Sequence, residues 1–378
     1  MVMIKIGIIK TGIFFLNLIY MFVKLLSVKK KVVMISRQSN MPSLEFQMIQ
    51  KEIGAQDAET EVVMLCHTLE NGVNSTLCDK VRYIFHMFVQ MYHIATAKVV
   101  ILDSYCIAVS ILHHKKSLKV IQMWHSMGTM KKFGYTSLDT EEGSKSEIAY
   151  AMKMHKNYDY VFASSEAYKD HLAAGFRCAR DRILTMPLPR LDLLHSAAYA
   201  EETRKRIYDK YPQLKEKPVI LYCPTFRKNE EAFEEALKNL TQAIDYEKYN
   251  FVAKLHPLSK VKVGKEVIQA EEFSSFEMIF AADYMISDYS CIVYEAAVRH
   301  IPLYFYNFDM DCYTDGRGLA VDYYGELPGI ISGNPEVIVE AIKSGQYDME
   351  RLAAFSDKYV VPVQHATKDI VDFVFKLM

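Results

Sequence analysis

Several common enzyme signatures are missing from this sequence. It contains no Walker-type phosphate loop, no G-x-S-x-G turn, no H-E-x-x-H motif and no G-x-G-x-x-G loop. Their absence removes the most frequent NTPase, hydrolase, zinc-protease and dinucleotide-binding interpretations. The sequence also lacks short repeats and low-complexity linkers, so nothing in it indicates a repeat protein.

Disulfide and metal-binding patterns are scarce as well. The 7 cysteines are scattered, their number is odd and no two form a Cys-x-x-Cys pair. This pattern argues against a disulfide framework and a zinc knuckle, and it favours a reducing compartment. The formal net charge is only −1, and we expect no nucleic-acid partner because general nucleic-acid binders carry a strong basic excess.

The N-terminal segment is apolar and flanked by lysines. Residues 11–23 carry no charge, and lysines lie nearby at positions 5, 10, 24, 29, 30 and 31. The uncharged run is too short to span a bilayer comfortably, and no cleavage site follows it before Lys29. We predict that residues 1–30 form a helix on the surface of an anionic membrane. The alternatives are a core helix of the first lobe and a marginal transmembrane helix.

Short apolar runs recur along the rest of the chain, each followed by a polar turn and a helical stretch. The first series is KVVMIS, EVVMLC, KVVILD, KVIQMWH and YVFAS, and the second is PVILYCP, NFVAKLHP, DYMISDYS and IPLYFYNF. Continuous apolar strands that alternate with helices predict buried parallel sheets. We therefore expect an α/β protein with two doubly wound, Rossmann-like lobes that face a central crevice.

The lobe boundaries follow from the position of a charged stretch at residues 201–217. We predict a first lobe over residues 31–197, a second over 198–360 and a C-terminal helix over 361–378, for which packing back on the first lobe is one option. Within the first lobe, an apolar stripe at helical spacing predicts core packing. Its members are Tyr83, Ile84, Met87, Phe88, Met91, Tyr92 and Ala95.

One histidine follows a strand of the first lobe. His125 comes after KVIQMW, and the loop behind it contains Gly128, Lys131, Lys132 and Gly134. An imidazole there could take a proton from an attacking hydroxyl, while the two glycines permit a tight loop and the two lysines favour an anionic substrate. The alternative is a structural histidine beside Trp124, the only tryptophan.

Polar residues also follow the strands of the second lobe. Thr225 and Arg227 come after PVILYCP and suit phosphate oxygens. His256 ends the next run and could donate to a diphosphate.

The segment YMISDYSCIVYEAAVRH predicts a strand, a turn and a helix. Ser287 and Asp288 lie in the turn and the helix opens at Ser290, where its free N–H groups favour phosphate, and Glu295 is placed to meet ribose hydroxyls. Ordinary helix capping is the alternative for Ser290 or Asp288. Arg317 lies in the acidic stretch 309–328, which is either a surface loop or a wall for the acceptor.

In order, the segments WHSMGTMKKFG, CPTFRK, KLHP and SDYSCIVYEAA, followed by IPLYFYNFD, RG and DYYGELPG, resemble the motifs of the CDP-glycerol glycerophosphotransferase family. This family contains teichoic acid primases and polymerases, and the resemblance covers roughly residues 30–375. It implies a GT-B-type fold. It also implies transfer of a polyol phosphate, glycerol phosphate first and ribitol phosphate next, from a CDP-alcohol to a hydroxyl of a lipid-linked teichoic acid or capsule acceptor, with release of CMP.

The resemblance also implies residue roles and a location. His125 would be the general base, and His256 would hold the diphosphate. Thr225, Arg227, Ser287 and Ser290 would assist it, and Glu295 would lie near the cytidine ribose. The first lobe would bind the acceptor and the second the CDP donor, at the cytoplasmic face of a bacterial membrane, with neither metal nor other cofactor expected.

Two positions depart from the family pattern. The family usually has His-Gly-Thr-Pro before its lysines, whereas the loop here is one residue longer and lacks the proline; Cys291 replaces a common serine. Two other functions therefore stay open at this point. One is a nucleotide-sugar glycosyltransferase on the same fold, and the other is a non-catalytic membrane-associated scaffold.

Overall fold

The computed structural model describes residues 2–68, 76–141, 143–227, 230–316 and 318–378. The chain divides into two compact units. Unit 1 comprises Met1–His125, Phe133–Arg190 and His365–Met378, and unit 2 comprises Ser126–Lys132 and Leu191–Gln364. Both are α/β units. The six cysteines whose side chains are described are free thiols.

Unit 1 is built on a sheet of six parallel strands in the order β2-β1-β3-β4-β5-β6. Every residue of β1 and β3 is buried, because helices cover both faces of a parallel sheet. This explains why the apolar runs are continuous rather than alternating. The strands are β1 Lys31–Ser36, β2 Glu61–Cys66, β3 Val99–Leu102, β4 Lys119–Gln122, β5 Tyr160–Ala163 and β6 Ile183–Thr185.

Helices of unit 1 begin where the sequence supplies caps. The Ser43 hydroxyl accepts from the N–H of Phe46 at the start of α2, and Thr76 and Asp79 form a capping box at the start of α3. The helices are α1 Val2–Val23, α2 Leu44–Gln56, α3 Leu77–Thr96, α4 Ile107–Ile111, α5 Ser146–Ala151, α6 Lys169–Phe176 and the last helix of the chain, α16 Ala366–Leu377. Short 3-10 turns cover Gly134–Ser137, Glu166–Tyr168 and Arg180–Arg182.

The C-terminal helix belongs to unit 1. It packs against α2, where the Gln56 side chain donates to Asp372 at 3.1 Å, and Lys98 donates to the carbonyl of Met378 at 2.6 Å. The chain therefore returns to its first sheet after completing the second unit.

Unit 2 contains a five-stranded parallel sheet in the order β11-β10-β9-β7-β8. Its strands are β7 Val219–Cys223, β8 Asn250–Ala253, β9 Tyr284–Ser287, β10 Leu303–Tyr306 and β11 Ile331–Ser332. Helix α7 Arg190–His195 begins at the unit boundary. The others are α8 Ala197–Lys210, α9 Glu231–Ala243, α10 Ser275–Met278, α11 Ile292–Val298, α12 Met310–Gly316, α13 Tyr323–Glu326, α14 Pro335–Ser344 and α15 Met349–Tyr359, with 3-10 turns at Pro212–Lys215 and Ile279–Ala281.

Both sheets have the same internal strand order. Counted from its own first strand, unit 2 runs 2-1-3-4-5 and unit 1 runs 2-1-3-4-5-6, and the order reverses between β1 and β3 in unit 1 and between β7 and β9 in unit 2. Open α/β sheets bind ligands at the carboxyl ends of their strands beside such a reversal. The residues that follow these four strands are therefore the first place to look for a site in each unit.

Helix α1 is long and largely exposed. The span Met3–Val23 is apolar enough to cross a membrane by length and composition, and only 6% of its most apolar window is buried. It contacts α3 and α5. The fully buried Tyr20 bonds to His114 Nδ1 at 3.0 Å, and the Asn17 amide donates to the carbonyl of Ile111 at 3.0 Å. A core helix is thus not what forms here, although one side is firmly attached to unit 1.

The predicted apolar stripe of α3 is only partly buried. Tyr83, Met91 and Ala95 lie in the core, but Ile84, Phe88 and Tyr92 are exposed, so core packing was wrong for these three. The helix carries apolar residues on more than one face, and only the face with Tyr83 and Met91 meets the core. The other apolar residues stay exposed.

Candidate active site

His125 lies beyond the end of β4 in unit 1. Its Nδ1 is 3.0 Å from the main-chain carbonyl of Asp103, which follows β3. A carbonyl can only accept, so Nδ1 carries the proton and Nε2 keeps its lone pair. The ring packs 4.3 Å from Trp124, whose φ of 69° turns the backbone sharply before the histidine.

The surroundings of His125 favour a neutral imidazole. The residue is exposed to solvent, yet the protein atoms packed around its ring desolvate it in part and lower its pKa. The hydrogen bond to the Asp103 carbonyl and the Glu45 carboxylate raise the pKa of His125, whereas the Arg190 charge lowers it further. A neutral ring with a free Nε2 is the form a general base requires.

The segment after His125, residues 126–132, belongs to unit 2. Gly128 is buried, and its carbonyl accepts from the Ser126 hydroxyl at 2.6 Å. The left-handed backbone expected of a tight loop occurs at Gly134, with φ +56°, rather than at Gly128. A Cβ on Gly134 would lie 2.2 Å from the Gly175 carbonyl oxygen, so only glycine fits there.

The lysine that reaches the strand ends of unit 2 is Lys131. Its ammonium donates to the Thr225 hydroxyl at 3.2 Å and lies 5.3 Å from the ring centre of Tyr313. Lys131 pairs with Leu319 in a β-bridge, and the main-chain N–H of Lys132 donates to the carbonyl of Gly318. Both lysines were predicted to favour an anionic substrate, and Lys132 was named as the contact. The choice between neighbouring lysines depends on this bridge, which has no local signal in the sequence.

Thr225 and Asp288 join the two strands at the reversal of unit 2. The N–H of Thr225, which follows β7, donates to both carboxylate oxygens of Asp288, which follows β9, at 2.9 and 3.1 Å. Asp288 is fully buried. The carboxylate therefore holds the loop in place, and the Thr225 hydroxyl next to it accepts from the Lys131 ammonium.

Arg227 is enclosed by carboxylates and aromatic rings. Its guanidinium donates to Asp288 at 2.6 Å and to Asp309 at 2.8 and 3.0 Å, and it lies 4.8 Å from the ring centre of Phe308. Burial alone would lower the pKa of Arg227, but the two carboxylates raise it above its ordinary value. The side chain is only 8% exposed. Its hydrogen bonds are made within the protein, which favours a positioning role over the predicted contact with the diphosphate.

Three further predicted residues follow β9. The Ser287 hydroxyl donates to the Cys223 carbonyl at 2.7 Å and is buried, so it ties β9 to β7. Ser290 is half-buried, and α11 begins at Ile292, two residues later than predicted, with no side-chain cap at Cys291. Glu295 is buried inside that helix at 1% exposure. Of these three, Ser290 alone offers a partly accessible side chain.

His256 lies in the loop after β8. Its ring packs 4.8 Å from that of Phe226, and its Nδ1 accepts from the N–H of Leu258 at 3.2 Å. The proton of the neutral ring therefore sits on Nε2, which can donate. Partial desolvation lowers its pKa.

Two predicted features remain. Arg317 lies outside the described residues. The stretch 309–328 contains α12 and α13 rather than a plain surface loop, and its first residue, Asp309, holds Arg227. Within the described ranges, no group of three His, Cys, Asp or Glu side chains is arranged to hold a metal ion.

The sequence profile described as CDP-Glycerol:Poly(glycerophosphate) glycerophosphotransferase matches residues 18–376. The chain belongs to this family. Among curated relatives, the teichoic acid ribitol-phosphate primase of Bacillus spizizenii is 28% identical over 91% of this chain and 90% of its own. The teichoic acid glycerol-phosphate primase of Bacillus subtilis is also 28% identical, over 72% of each chain.

The solved structure of the wall teichoic acid polymerase TagF has a similar fold. It matches with a TM-score of 0.74 at 20% identity, covering 99% of this chain and 97% of that one. A co-structure of Staphylococcus aureus MnaA with UDP matches more weakly, with a TM-score of 0.58 at 15% identity and coverage of 93% and 98%. These matches confirm the predicted family, the α/β fold with an N-terminal helix and the class of transferase. The crevice and the individual residue roles stay predictions.

The sequence analysis did not single out two groups of this site. Asp309, the partner of Arg227, is one. The Asp103 carbonyl that orients His125 is the other, and since it is a main-chain group, no residue type marks it.

Proposed function

We propose that this protein transfers glycerol phosphate or ribitol phosphate from the corresponding CDP-alcohol to a hydroxyl of a teichoic acid acceptor and releases CMP. The observation that carries the proposal is His125, held through Nδ1 by the Asp103 carbonyl with Nε2 free, in a member of this family. Relatives named for both polyols share the same identity with this chain, so both donors belong in the test.

The reaction is a displacement at phosphorus. Nε2 of His125 takes the proton of the acceptor hydroxyl as its oxygen attacks the polyol-bearing phosphorus. A new P–O bond forms to the acceptor, the P–O bond to CMP breaks, and CMP leaves with the electron pair. In unit 2, the Lys131 ammonium and the Nε2–H of His256 are suited to stabilise the negative charge that grows on the departing phosphate.

The donor contacts that we assign lie in unit 2. Thr225 and Ser290 offer hydroxyls beside the β7/β9 reversal, and Lys131 supplies a cation there. Asp288 accepts from the Thr225 N–H and Arg227 donates to the Thr225 carbonyl, and these two bonds fix the loop that carries the hydroxyl. We propose no metal ion or other cofactor for the transfer.

The experiment that tests the function measures CMP release from purified full-length protein. CDP-glycerol, CDP-ribitol and two UDP-sugars are offered with synthetic lipid-linked acceptors, and product masses are recorded. We expect CMP and a product heavier by one polyol phosphate. Release of UDP instead would replace this function with glycosyl transfer, and no release from any donor would support the scaffold.

We further propose that the protein works as a peripheral membrane protein and uses a lipid-linked acceptor. Exposed apolar residues of α1, Phe14 and Phe22, are accompanied by lysines at positions 5, 10 and 24, and α3, which contacts α1, carries further exposed apolar residues. An apolar surface with a basic rim suits anionic lipid.

Vesicle sedimentation tests the membrane proposal. We expect wild type to sediment with vesicles that contain phosphatidylglycerol, and Phe14→Asp/Phe22→Asp to stay in the supernatant. Leu258→Asp, an exposed apolar residue of unit 2, is the matched control and should sediment like wild type. Equal sedimentation of the double variant and wild type would contradict the role of α1.

A further inference from the structure

Arg37 occupies the strand-order reversal of unit 1. It is the first residue after β1, and its main-chain N–H donates to the Ser104 hydroxyl at 3.0 Å, just beyond β3. Arg37 therefore bridges the two strands between which the sheet order reverses, where open α/β sheets bind ligands. Neither the donor contacts nor the proposed general base uses it.

The guanidinium of Arg37 lies between two tyrosine rings. It is 5.6 Å from the ring centre of Tyr83 and 6.0 Å from that of Tyr105, and its NH1 donates to the Tyr105 carbonyl at 3.2 Å. Its Nε is buried without a hydrogen-bond partner, although the side chain as a whole is only half-buried. The tyrosine side chains fix the planar group and attract its charge weakly, but they supply no negative charge.

No carboxylate in the described ranges neutralises this charge. Arg37 forms no ion pair there. The nearby Glu45 pairs with Arg190 at 2.5 Å. Asp103 is buried against the hydroxyls of Ser36 and Ser104, and burial raises its pKa to about 6. A partly desolvated arginine without a counter-ion is costly, and an anionic ligand would offset that cost.

Arg37 is also next to the proposed base. Its chain neighbour Gln38 places its amide 3.4 Å from His125 Nδ1. Asp103, which precedes the Ser104 that binds the Arg37 N–H, accepts from the same imidazole. The arginine and the histidine therefore stand at one end of one sheet, within unit 1. An anion at Arg37 would lie beside the hydroxyl that His125 deprotonates.

We infer that Arg37 binds a phosphate of the acceptor, the phosphodiester that precedes the attacking hydroxyl. This inference rests on the proposed function and adds to it a preference among acceptors. An acceptor that ends in a polyol phosphate carries such a charge one unit behind its terminal hydroxyl, whereas an acceptor that ends in a neutral sugar does not. The protein should therefore extend chains that already end in polyol phosphate in preference to priming a bare saccharide.

The test compares two acceptors that differ only in charge. Both end in the same polyol, but one has a terminal phosphodiester and the other a neutral methylphosphonate at that position. With wild type, we expect a KM about 10- to 100-fold lower for the charged acceptor, the range for a hydrogen bond to a charged group. Arg37→Gln should remove this difference and leave the KM for the CDP-alcohol within about twofold.

Controls separate a binding role from a structural one. Arg82→Gln, an exposed arginine of α3 in the same unit, should keep the preference for the charged acceptor. Arg37→Lys should restore part of it because the charge remains. Equal KM values for the two acceptors with wild type would overturn the inference, even if the variants fold poorly. Absence of CMP release with every acceptor would instead contradict the proposed function.

Discussion

The two strand-order reversals carry an arginine each, and the two arginines are treated differently. Arg227 in unit 2 is surrounded by Asp288 and Asp309 and is nearly inaccessible, while Arg37 in unit 1 meets tyrosine side chains and a carbonyl and has no carboxylate partner among the described residues. An arginine that follows the first strand of each sheet thus has different surroundings in the two units. A neutralised arginine fixes a loop, and one without a counter-ion is available to a ligand. The surrounding charges decide between them.

The largest expected effect is on kcat, and it compares the proposed base in unit 1 with the proposed donor contact in unit 2. His125→Ala should lower kcat about 10²- to 10⁴-fold, the usual contribution of a general base, while CMP affinity measured by calorimetry stays near wild type. His256→Ala should instead weaken both turnover and donor binding. Near-normal turnover of His125→Ala would remove this residue as the base.

The arginines should differ most in stability. Arg227→Met leaves two carboxylates without their cation and should lower the free energy of unfolding by about 3 kcal/mol. Arg37→Met removes one hydrogen bond to a carbonyl and should cost about 1 kcal/mol or less. Urea unfolding, followed by the fluorescence of Trp124 and by circular dichroism, measures both. Equal losses of unfolding free energy in the two variants would contradict the view that Arg227 is neutralised by carboxylates and Arg37 is not.

Substitutions of Lys131 and Lys132 test whether the loop that Arg227 and Asp288 fix in unit 2 contributes to binding of the CDP-alcohol. Lys131→Gln should raise the KM for the CDP-alcohol about 10-fold because it removes a charge-assisted contact beside Thr225. Lys132→Gln is the matched control and should stay within about threefold of wild type. If Lys132→Gln proves the more damaging change, the donor contact was assigned to the wrong lysine.

The smallest expected effect is a shift in pH dependence. Because the pKa of His125 lies below its ordinary value, the base is neutral near pH 7 and loses activity only as the pH falls through that lowered pKa. Glu45 raises the pKa of His125, so Glu45→Gln should move the acid limb of kcat/KM to still lower pH. A limb that moves upward would contradict the geometry around the imidazole.

The sequence predicted more of the fold than of the contacts. Continuous apolar runs identified both parallel sheets, and the positions after strands pointed to His125, Thr225 and His256. Local pattern could not show that Arg227 is neutralised, because Asp309 lies 82 residues away along the chain. It also could not separate Arg37 from any other arginine, since the absence of a counter-ion is a property of the assembled unit.

Helix α3 shows that the sequence pattern is also insufficient to predict which apolar residues are buried. Apolar residues at helical spacing predict a buried face, but α3 carries enough of them for two faces. Only one face meets the core, because a helix lying on one side of the sheet has a single inner surface. Periodicity therefore indicates which residues can be buried together, and the neighbouring elements decide which ones are.

Tyr20 and Asn17 attach α1 to unit 1 through a buried side chain and a hydrogen bond to the Ile111 carbonyl. A flexibly attached membrane helix would let the rest of a protein change its distance from the bilayer. A rigidly attached helix instead fixes unit 1 at one height and one tilt. With α1 in the lipid surface, as proposed, His125 would lie at a constant height above the headgroups. That height would set the distance from the membrane at which the end of a growing acceptor can react.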